Sequence, residues 1–308
     1  ISIIICIFNR ADLLKLALES IAKLSNPDAL KVEVVIVDNS DDNNAKDTIE
    51  AACNIMPYPA KMVVAHPANI SVARNAGVKA ATSEIVAFMD DDQTLDTGWL
   101  ISVWAGLQKH PYDVLFGSVT PVAERPDLVD ATVEQLFSRQ LPLEAGHDLI
   151  PMGANKTRGI SMATNNSVFR RTSTLYEEQP FNSAFGNGGG EDFDLFCRLQ
   201  RKGCRFGWLP DAKALEYVPA KRCNPIYLLQ RFYAGGQAYA MAVSINNDNP
   251  NIERWRQRLL ACVQFGLLLC KMPIAMVSGK ERWLAWRYRV AGVLGKISFR
   301  KLLPIYQA

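Results

Sequence analysis

The run Ile85-Val86-Ala87-Phe88-Met89 stops at three consecutive aspartates, Asp90, Asp91 and Asp92. An apolar stretch of that length, behind the polar Thr82-Ser83-Glu84, is the signature of a buried strand in an α/β sheet. Charges at its C-terminal end then open into the crevice where such sheets bind ligands. Crowded carboxylates raise one another's pKa, so all three ionise most easily beside a divalent ion or hydrogen-bond donors. Hard oxygen ligands suit Mg²⁺ or Mn²⁺, which keep positions open for phosphates. The first expectation is a metal-bridged nucleotide or phosphate site. The same residues also fit an acidic turn capping the next helix, with Thr94 or Asp96 as the cap ahead of Trp99.

Strand and helix signals alternate around that run. Residues 2–8 read as a strand, 11–24 as a helix with Leu14, Leu18 and Ile21 on its apolar face, and 32–37 as a strand ending at Asp38. A helix over 46–52, a strand over 61–65 and a helix over 71–81 lead into the aspartate strand. A helix over 99–109 and a strand over 114–118 follow it. Alternation of this kind predicts a mostly parallel sheet flanked by helices. From 120 to 163 the pattern weakens among Pro121, Pro126, Pro142 and Pro151, with one helix expected at 130–139. Residues 164–169 read as a short strand. Asn187-Gly188-Gly189-Gly190 reads as a flexible loop feeding a helix to Lys202, and 203–209 as a turn and strand.

The 308 residues, 49% hydrophobic, suffice for one large α/β domain with an appendage. The seven cysteines are scattered without zinc or redox spacing, which points to a reducing compartment. No signal peptide is visible, and the chain begins inside a strand. Net charge is asymmetric: residues 251–308 carry eleven Lys/Arg against two acids, or +9, in a chain of +3. The tail from Pro225 is helical, basic and rich in Trp. Its apolar stretch 259–277 contains Gln264, Lys271 and Pro273, which argues against a bilayer-crossing helix. Trp283, Trp286 and Tyr288 among Arg282, Arg287 and Arg289 fit a basic amphipathic helix on an anionic membrane, and equally a helical cap packing its aromatics inward. No nucleic-acid module is recognisable.

If the sheet folds so, Phe8-Asn9-Arg10, Asp38-Asn39 and Asp90 to Asp92 converge. Asp38 is a candidate acceptor for a base or ribose, or the cap of its own turn through Asp42. Arg74 reaches a diphosphate or braces the acidic strand end. Glu191-Asp192, behind a glycine run and opening a helix, offers a general base for an acceptor hydroxyl, or a plain helix N-terminal acid pair.

The ordered set Cys6-Ile7-Phe8-Asn9-Arg10, Val37-Asp38-Asn39-Ser40, Ala73-Arg74-Asn75-x-Gly77, Asp90-Asp91-Asp92 and Gly190-Glu191-Asp192 resembles the family 2 glycosyltransferases of GT-A fold. Within that family it is similar to bacterial exopolysaccharide enzymes of the succinoglycan glucosyltransferase type, over roughly residues 1–235. The resemblance implies inverting transfer of a sugar, such as glucose, from a nucleoside-diphosphate sugar, with UDP favoured and Mg²⁺ or Mn²⁺ on the diphosphate. The acceptor it implies is a hydroxyl of a glycan, as part of a lipid-linked polysaccharide. Carried over by position, Ile7, Phe8, Asn9 and Asp38 contact the base, Arg74 and Asp91 the nucleotide, and Asp90 the ribose. Asp92 ligates the metal, Asp192 is the base, and Glu191 with Gly190 meets the acceptor. Where relatives carry a metal-binding His, this chain has Glu216, with Arg222 and Arg231 as diphosphate contacts. The implied division is a catalytic domain over 1–224, with a nucleotide half to 118 and an acceptor half from 119, and a basic extension over 225–308. The implied location is cytoplasmic and peripheral at the inner face of the membrane, through 253–308. The donor sugar would be read by 120–166 and the acceptor by 185–190. Two other readings stand beside this one. Asp90-x-Asp92-x-Thr94 fits a haloacid dehalogenase-type phosphatase, and the chain also fits a catalytically silent nucleotide- or glycan-binding scaffold.

Overall fold

A computed structural model describes residues 1–41, 46–149 and 162–305. Asp42, in the turn expected after Asp38, and residues 150–161, inside the segment expected to read the donor sugar, lie outside the described residues. The strands are β1 (Ser2–Ile7), β2 (Glu33–Asp38), β3 (Ala60–Val64), β4 (Ile85–Asp90), β5 (Gln93–Leu95), β6 (Val114–Ala123), β7 (Ser167–Arg170) and β8 (Phe206–Val218). They form one sheet in the order β3-β2-β1-β4-β7-β6-β8-β5. Pairing is parallel except at β7, which runs against β4 and β6, and at β5, which runs against β8.

The all-aliphatic centre of β1 is covered on both faces, with Ile3, Ile4 and Ile5 fully buried. That is why it is a continuous apolar run and not an alternating one. On one face lie α1 (Ala11–Ala22) and α2 (Lys46–Ile55), with α4 (Trp99–Lys109). On the other lie α3 (Ile70–Ala80) and α7 (Glu191–Arg201), past the short α5 (Ala131–Phe137) and α6 (Arg171–Thr174). The helix α3 starts at Asn69, whose Oδ1 accepts from the Ser71 and Val72 amides, and α5 starts at Asp130 in the same way.

Three elements differ from the local pattern. The strand β6 continues through Pro121 to Ala123 because its later half pairs with β8. That strand in turn continues past Pro210 to Val218 across a bulge, where Gly117 to Val119 of β6 faces Leu209 to Ala214 of β8. The short β5 was not foreseen, and it places Thr94 in a ladder and not at a helix cap. The Asp96 side chain accepts from the Gly98 amide in the turn before α4, and Gly98 makes no side-chain cap.

Behind the sheet come α8 (Pro225–Ile245), α9 (Pro250–Val277) and α10 (Lys280–Ile297). Tyr288 is buried and stacks on Phe232, centroids 5.4 Å apart, within a cluster that includes Val133, Phe137, Val218 and Leu228. The Trp286 indole donates to the Leu268 carbonyl at 2.9 Å. Tyr288 of α10 therefore packs inward, while Trp283 and Trp286 stack on each other half-buried, centroids 4.9 Å apart. The helix α9 is long and apolar enough to cross a membrane, contrary to the expectation from its sequence. Most of its charged residues fall at its start, and the stretch 259–277 carries Lys271 as its one charge.

Candidate functional site

The chain leaves β1 for β2 and β3 on one side, then returns to β4 on the other, so β1 and β4 flank a switch point. Register places Ile7 beside Asp38 and Cys6 beside Asp90, which brings three strand ends to one crevice. The crevice holds about 170 Å³ and is walled by Ile7, Phe8, Arg10, Arg74, Asp90 to Asp92, Glu191, Arg222 and Arg231. Asn9, in the left-handed region with φ 55°, and the buried Asp38 stand behind the wall residues Phe8, Arg10 and Asn39 and do not themselves line the crevice. The Asn9 amide donates to Ser40 Oγ at 3.0 Å, and Asp38 Oδ1 accepts from the Ser40 amide at 2.9 Å. Asp38 Oδ2 is buried with no hydrogen-bond partner among the described residues. Asn39 accepts from the Asn69 amide at 2.7 Å and donates to the Pro67 carbonyl at 3.1 Å, tying the β2 end to the start of α3.

The aspartates are met by arginines. Arg10 Nη1 donates to Asp91 Oδ1 at 3.1 Å and to Asp92 Oδ2 at 3.0 Å, and Arg222 Nη1 donates to Asp92 Oδ2 at 3.0 Å. Buried Arg74 lies 3.8 Å from Asp90, donates to Glu191 Oε1 and rests over the Phe181 ring. Burial, with help from Asp92 and Asp90, still pushes the Asp91 carboxyl up to about 7 against the pull of Arg10. Burial also raises Asp90 and carries Glu191 to about 7, although Arg74 opposes both. The three members of the triplet are thus unequal. Asp91 is buried and paired with Arg10, Asp90 keeps a side chain 40% exposed to the crevice, and Asp92 is almost enclosed.

Pairing of Gln93 with Glu216 across β5 and β8 delivers Glu216 to the same neighbourhood. Its Oε2 accepts from Gln93 Nε2 at 3.2 Å and Asn165 Nδ2 at 2.9 Å, and Arg222 stands 4.0 Å from Oε1. Burial, then Asp92 and Asp90, push its carboxyl up to about 8.

No three His, Cys, Asp or Glu side chains converge as a ready metal site among the described residues. The donors that are present are hard carboxylate oxygens, and Asp92 Oδ1 is buried without a hydrogen-bond partner. Mg²⁺ and Mn²⁺ are commonly held by one or two carboxylates together with substrate phosphates. The residues therefore fit an ion that arrives with a diphosphate.

A second cavity of about 780 Å³ adjoins the crevice, and Arg74, Asp90, Glu191 and Arg231 belong to both. Gly190, Asp192 and Glu216 line it, and α8, α9 and α10 close its far side with Tyr239, Lys271 and Arg289. Asp192 sits in the first turn of α7, where the helix N-terminus favours negative charge, and its Oδ1 accepts from the Phe193 amide at 2.7 Å. Gly189 and Gly190 supply the positive φ values, 81° and 99°, that bend the chain into α7. The loop before them is covered and not open. Leu302 joins the cluster of Phe185, Phe193 and Ala238, and the Ile305 amide donates to the Asn187 carbonyl at 3.1 Å.

The most consequential residue without a sequence signal is Arg139. It is buried, donates to the carbonyls of Gly117, Ala163, Asn165 and Asn166, and has its pKa pulled down to about 10 by burial. It secures the wall that carries Asn165 to Glu216. Nothing in the proline-rich stretch around it marks it out. Arg10 was visible only as a neighbour of Asn9, since its partners are more than eighty residues away.

A mostly parallel sheet with this crevice and its adjoining cavity matches nucleotide-sugar transferases of the GT-A fold. Mannosyltransferase PcManGT from Pyrobaculum calidifontis, solved in complex with GDP-Man and Mn²⁺, aligns over 96% of this chain and 86% of its own, with TM-score 0.61 and 18% identity. S. aureus TarS 1-349 in complex with UDP-GlcNAc aligns over 84% and 70%, with TM-score 0.57 and 18% identity. At that identity the two likenesses establish the fold. The chain belongs to glycosyl transferase family 2, whose model matches residues 2–169. It is 26% identical over 239 residues to the succinoglycan biosynthesis protein ExoM of Rhizobium meliloti (strain 1021), covering 78% of this chain and 74% of that one. It is also 26% identical over 216 residues to the pre-mycofactocin glycosyltransferase of Mycobacterium tuberculosis (strain CDC 1551 / Oshkosh), but spans only 43% of that protein. Family membership displaces the phosphatase reading of Asp90-x-Asp92-x-Thr94.

Proposed function

We propose that the protein is an inverting glycosyltransferase that moves a hexose from a nucleoside-diphosphate sugar, with UDP favoured, to a hydroxyl of a growing, lipid-linked exopolysaccharide. The observation that carries this reading is the shared wall. Asp90, Arg74 and Glu191 face the crevice on one side and the larger cavity with Asp192 on the other. A donor in the crevice would present its sugar toward an acceptor in the larger cavity.

In this reading Ile7, Phe8, Asn9 and Asp38 hold the base, Asp38 Oδ2 being a buried acceptor still open to an N–H donor. Asp90 takes the ribose, and Arg222 and Arg231, which line the crevice with Arg74, would meet the diphosphate. Asp92, with Glu216 near it, would hold Mg²⁺ or Mn²⁺, which when bound neutralises charge on the departing diphosphate. Asp192 accepts the proton of the acceptor hydroxyl as that oxygen bonds to the anomeric carbon. The bond from that carbon to the diphosphate oxygen breaks, and the diphosphate leaves with the electron pair. One displacement inverts the centre. Glu191 and Gly190 orient the acceptor, with Arg74 holding Glu191 in place. Residues 1–224 would form the catalytic domain, and 225–308 an extension that closes the acceptor side. The donor class is supported by the two structural neighbours, one solved with UDP-GlcNAc and the other with GDP-Man and Mn²⁺.

The test is a donor screen by calorimetry with Mn²⁺, paired with transfer and donor hydrolysis, for the wild type, Asp92→Ala and Asp192→Asn. Asp192→Asn should keep donor affinity and lose about 10²–10⁴-fold in turnover, the usual contribution of a general base. Asp92→Ala should lose Mn²⁺-dependent donor affinity. A wild type that binds donor but neither transfers nor hydrolyses it would instead make this a silent binding scaffold.

A further inference from the structure

Next to the two cavities already described, sharing Gly188 and Lys296 with the larger and Asn187 with the crevice, a third cavity of about 410 Å³ opens between the 184–188 loop, α8, the start of α9, the end of α10 and the segment after it. Five cations line it, Arg254, Arg258, Lys296, Arg300 and Lys301, with no Asp or Glu among the described lining residues. No carboxylate pairs with any of the five among the described residues. Arg258 is nearly buried. Its guanidinium lies 3.6 Å from the Phe299 ring centroid and 5.3 Å from that of Trp255, and its Nη2 donates to the Ser298 carbonyl at 3.4 Å. Stacking between two rings aims the group without neutralising it. Like charges gathered without counter-charges repel one another, and an anion in the cavity relieves that repulsion.

The rim of the cavity is apolar and faces solvent. Trp255 and Phe299 meet edge to face, and Phe299 is 70% exposed. From Trp255 the outer face of α9 continues as one stripe. Ile252, Trp255, Leu259, Val263, Ile274 and Val277 recur at helical spacing and are 59–86% exposed. The opposite face of α9 is held by α8 and α10 through Gln257, Ala261 and Ala275 and through the Leu268 carbonyl. A helix bound along one side to protein, with arginines in its first turns, suits the plane of an interface better than a crossing of it.

We propose that this face is a docking site for an anionic phospholipid bilayer. The α9 stripe, Trp255 and Phe299 enter the acyl boundary, and the basic cavity takes a lipid headgroup phosphate. The three cations used to test it are separable from sugar transfer, since Arg254, Arg300 and Lys301 line neither of the first two cavities.

Flotation of the full chain with vesicles tests it. Phosphatidylglycerol in phosphatidylcholine should bind the protein at least tenfold more tightly than phosphatidylcholine alone. The exposed triple variant Arg254→Glu/Arg300→Glu/Lys301→Glu should lose that preference by on the order of tenfold or more, at about 1 kcal/mol per basic residue near such a surface. It should hydrolyse donor like the wild type. Leu259→Asp/Val263→Asp should abolish binding to both vesicle types. Glycerophosphoglycerol in excess should not displace the wild type from vesicles, because the free headgroup lacks the acyl contact. The proposal fails if the triple variant retains the preference, or if neutral vesicles bind equally well. It also fails if light scattering shows a dimer that Leu259→Asp/Val263→Asp makes monomeric while vesicle binding persists.

Discussion

Two adjacent glycines of α8 sit in opposite environments, and their alanine variants should move stability in opposite directions. Gly236 faces α10, where an added Cβ would lie 2.0 Å from the Gly292 carbonyl oxygen; at Gly235 nothing lies within 4 Å. The same crossing is tight from the other side, since a Cβ at Gly295 would lie 2.0 Å from the Tyr233 carbonyl oxygen. Alanine in a helix interior is favoured over glycine by about 0.5–1 kcal/mol, because it leaves less backbone entropy to lose. Gly235→Ala should gain that amount. Gly236→Ala gains it too but must push two backbones apart, since the obstacle is a carbonyl and not a rotatable side chain. Over-packing of this kind costs about 1–3 kcal/mol, and a backbone obstacle puts it at the upper end, for a net loss of about 2 kcal/mol. The two variants should therefore differ by about 2.5–3 kcal/mol, or about 5–6 °C in midpoint at roughly 2 °C per kcal/mol for a large domain. Urea unfolding and calorimetry of the three proteins in one buffer measure this. A Gly236→Ala protein as stable as the wild type would refute the close crossing of α8 and α10, and with it the far wall of the larger cavity.

Two further outcomes follow from buried polar groups. Glu216 binds its proton in the folded protein up to about pH 8 but releases it near 4.5 when unfolded. Its contribution is then fully present below the lower value and fades as pH rises through the upper one, a change of up to about 4–5 kcal/mol at about 1.4 kcal/mol per pH unit. Asp91 and Glu191 act in the same direction. Glu216→Gln should flatten the loss of stability between about pH 5 and about pH 8.5 in metal-free urea titrations, whereas parallel curves for the two proteins would contradict the burial argument. Arg139→Met should destabilise by about 3–5 kcal/mol, because it strips a buried donor from the carbonyls of Gly117, Ala163 and Asn166 together, and circular dichroism melts read the loss.

The elements that the chain alone determined are those set by local repetition. The strands β1, β2 and β4 and the helices α1, α3 and α4 follow from apolar periodicity within a dozen residues, and strand direction then puts Asp38 and Asp90 to Asp92 at one edge of the sheet. The ordered motifs identified the family on the same short-range evidence. Periodicity could not say which helical face would be covered. Tyr288 of α10 turned inward and the apolar stripe of α9 stayed outside, because that choice belongs to the packing of three helices against one another. Nor could it show that Arg10 and Arg222 would clamp Asp92, that β5 would pair Gln93 with Glu216, or that Arg139 would hold the wall behind them. Those contacts join residues far apart in the chain, and only closure of the sheet brings them within hydrogen-bonding distance. The carboxylates were written locally, while the cations that compensate them were supplied by the tertiary fold.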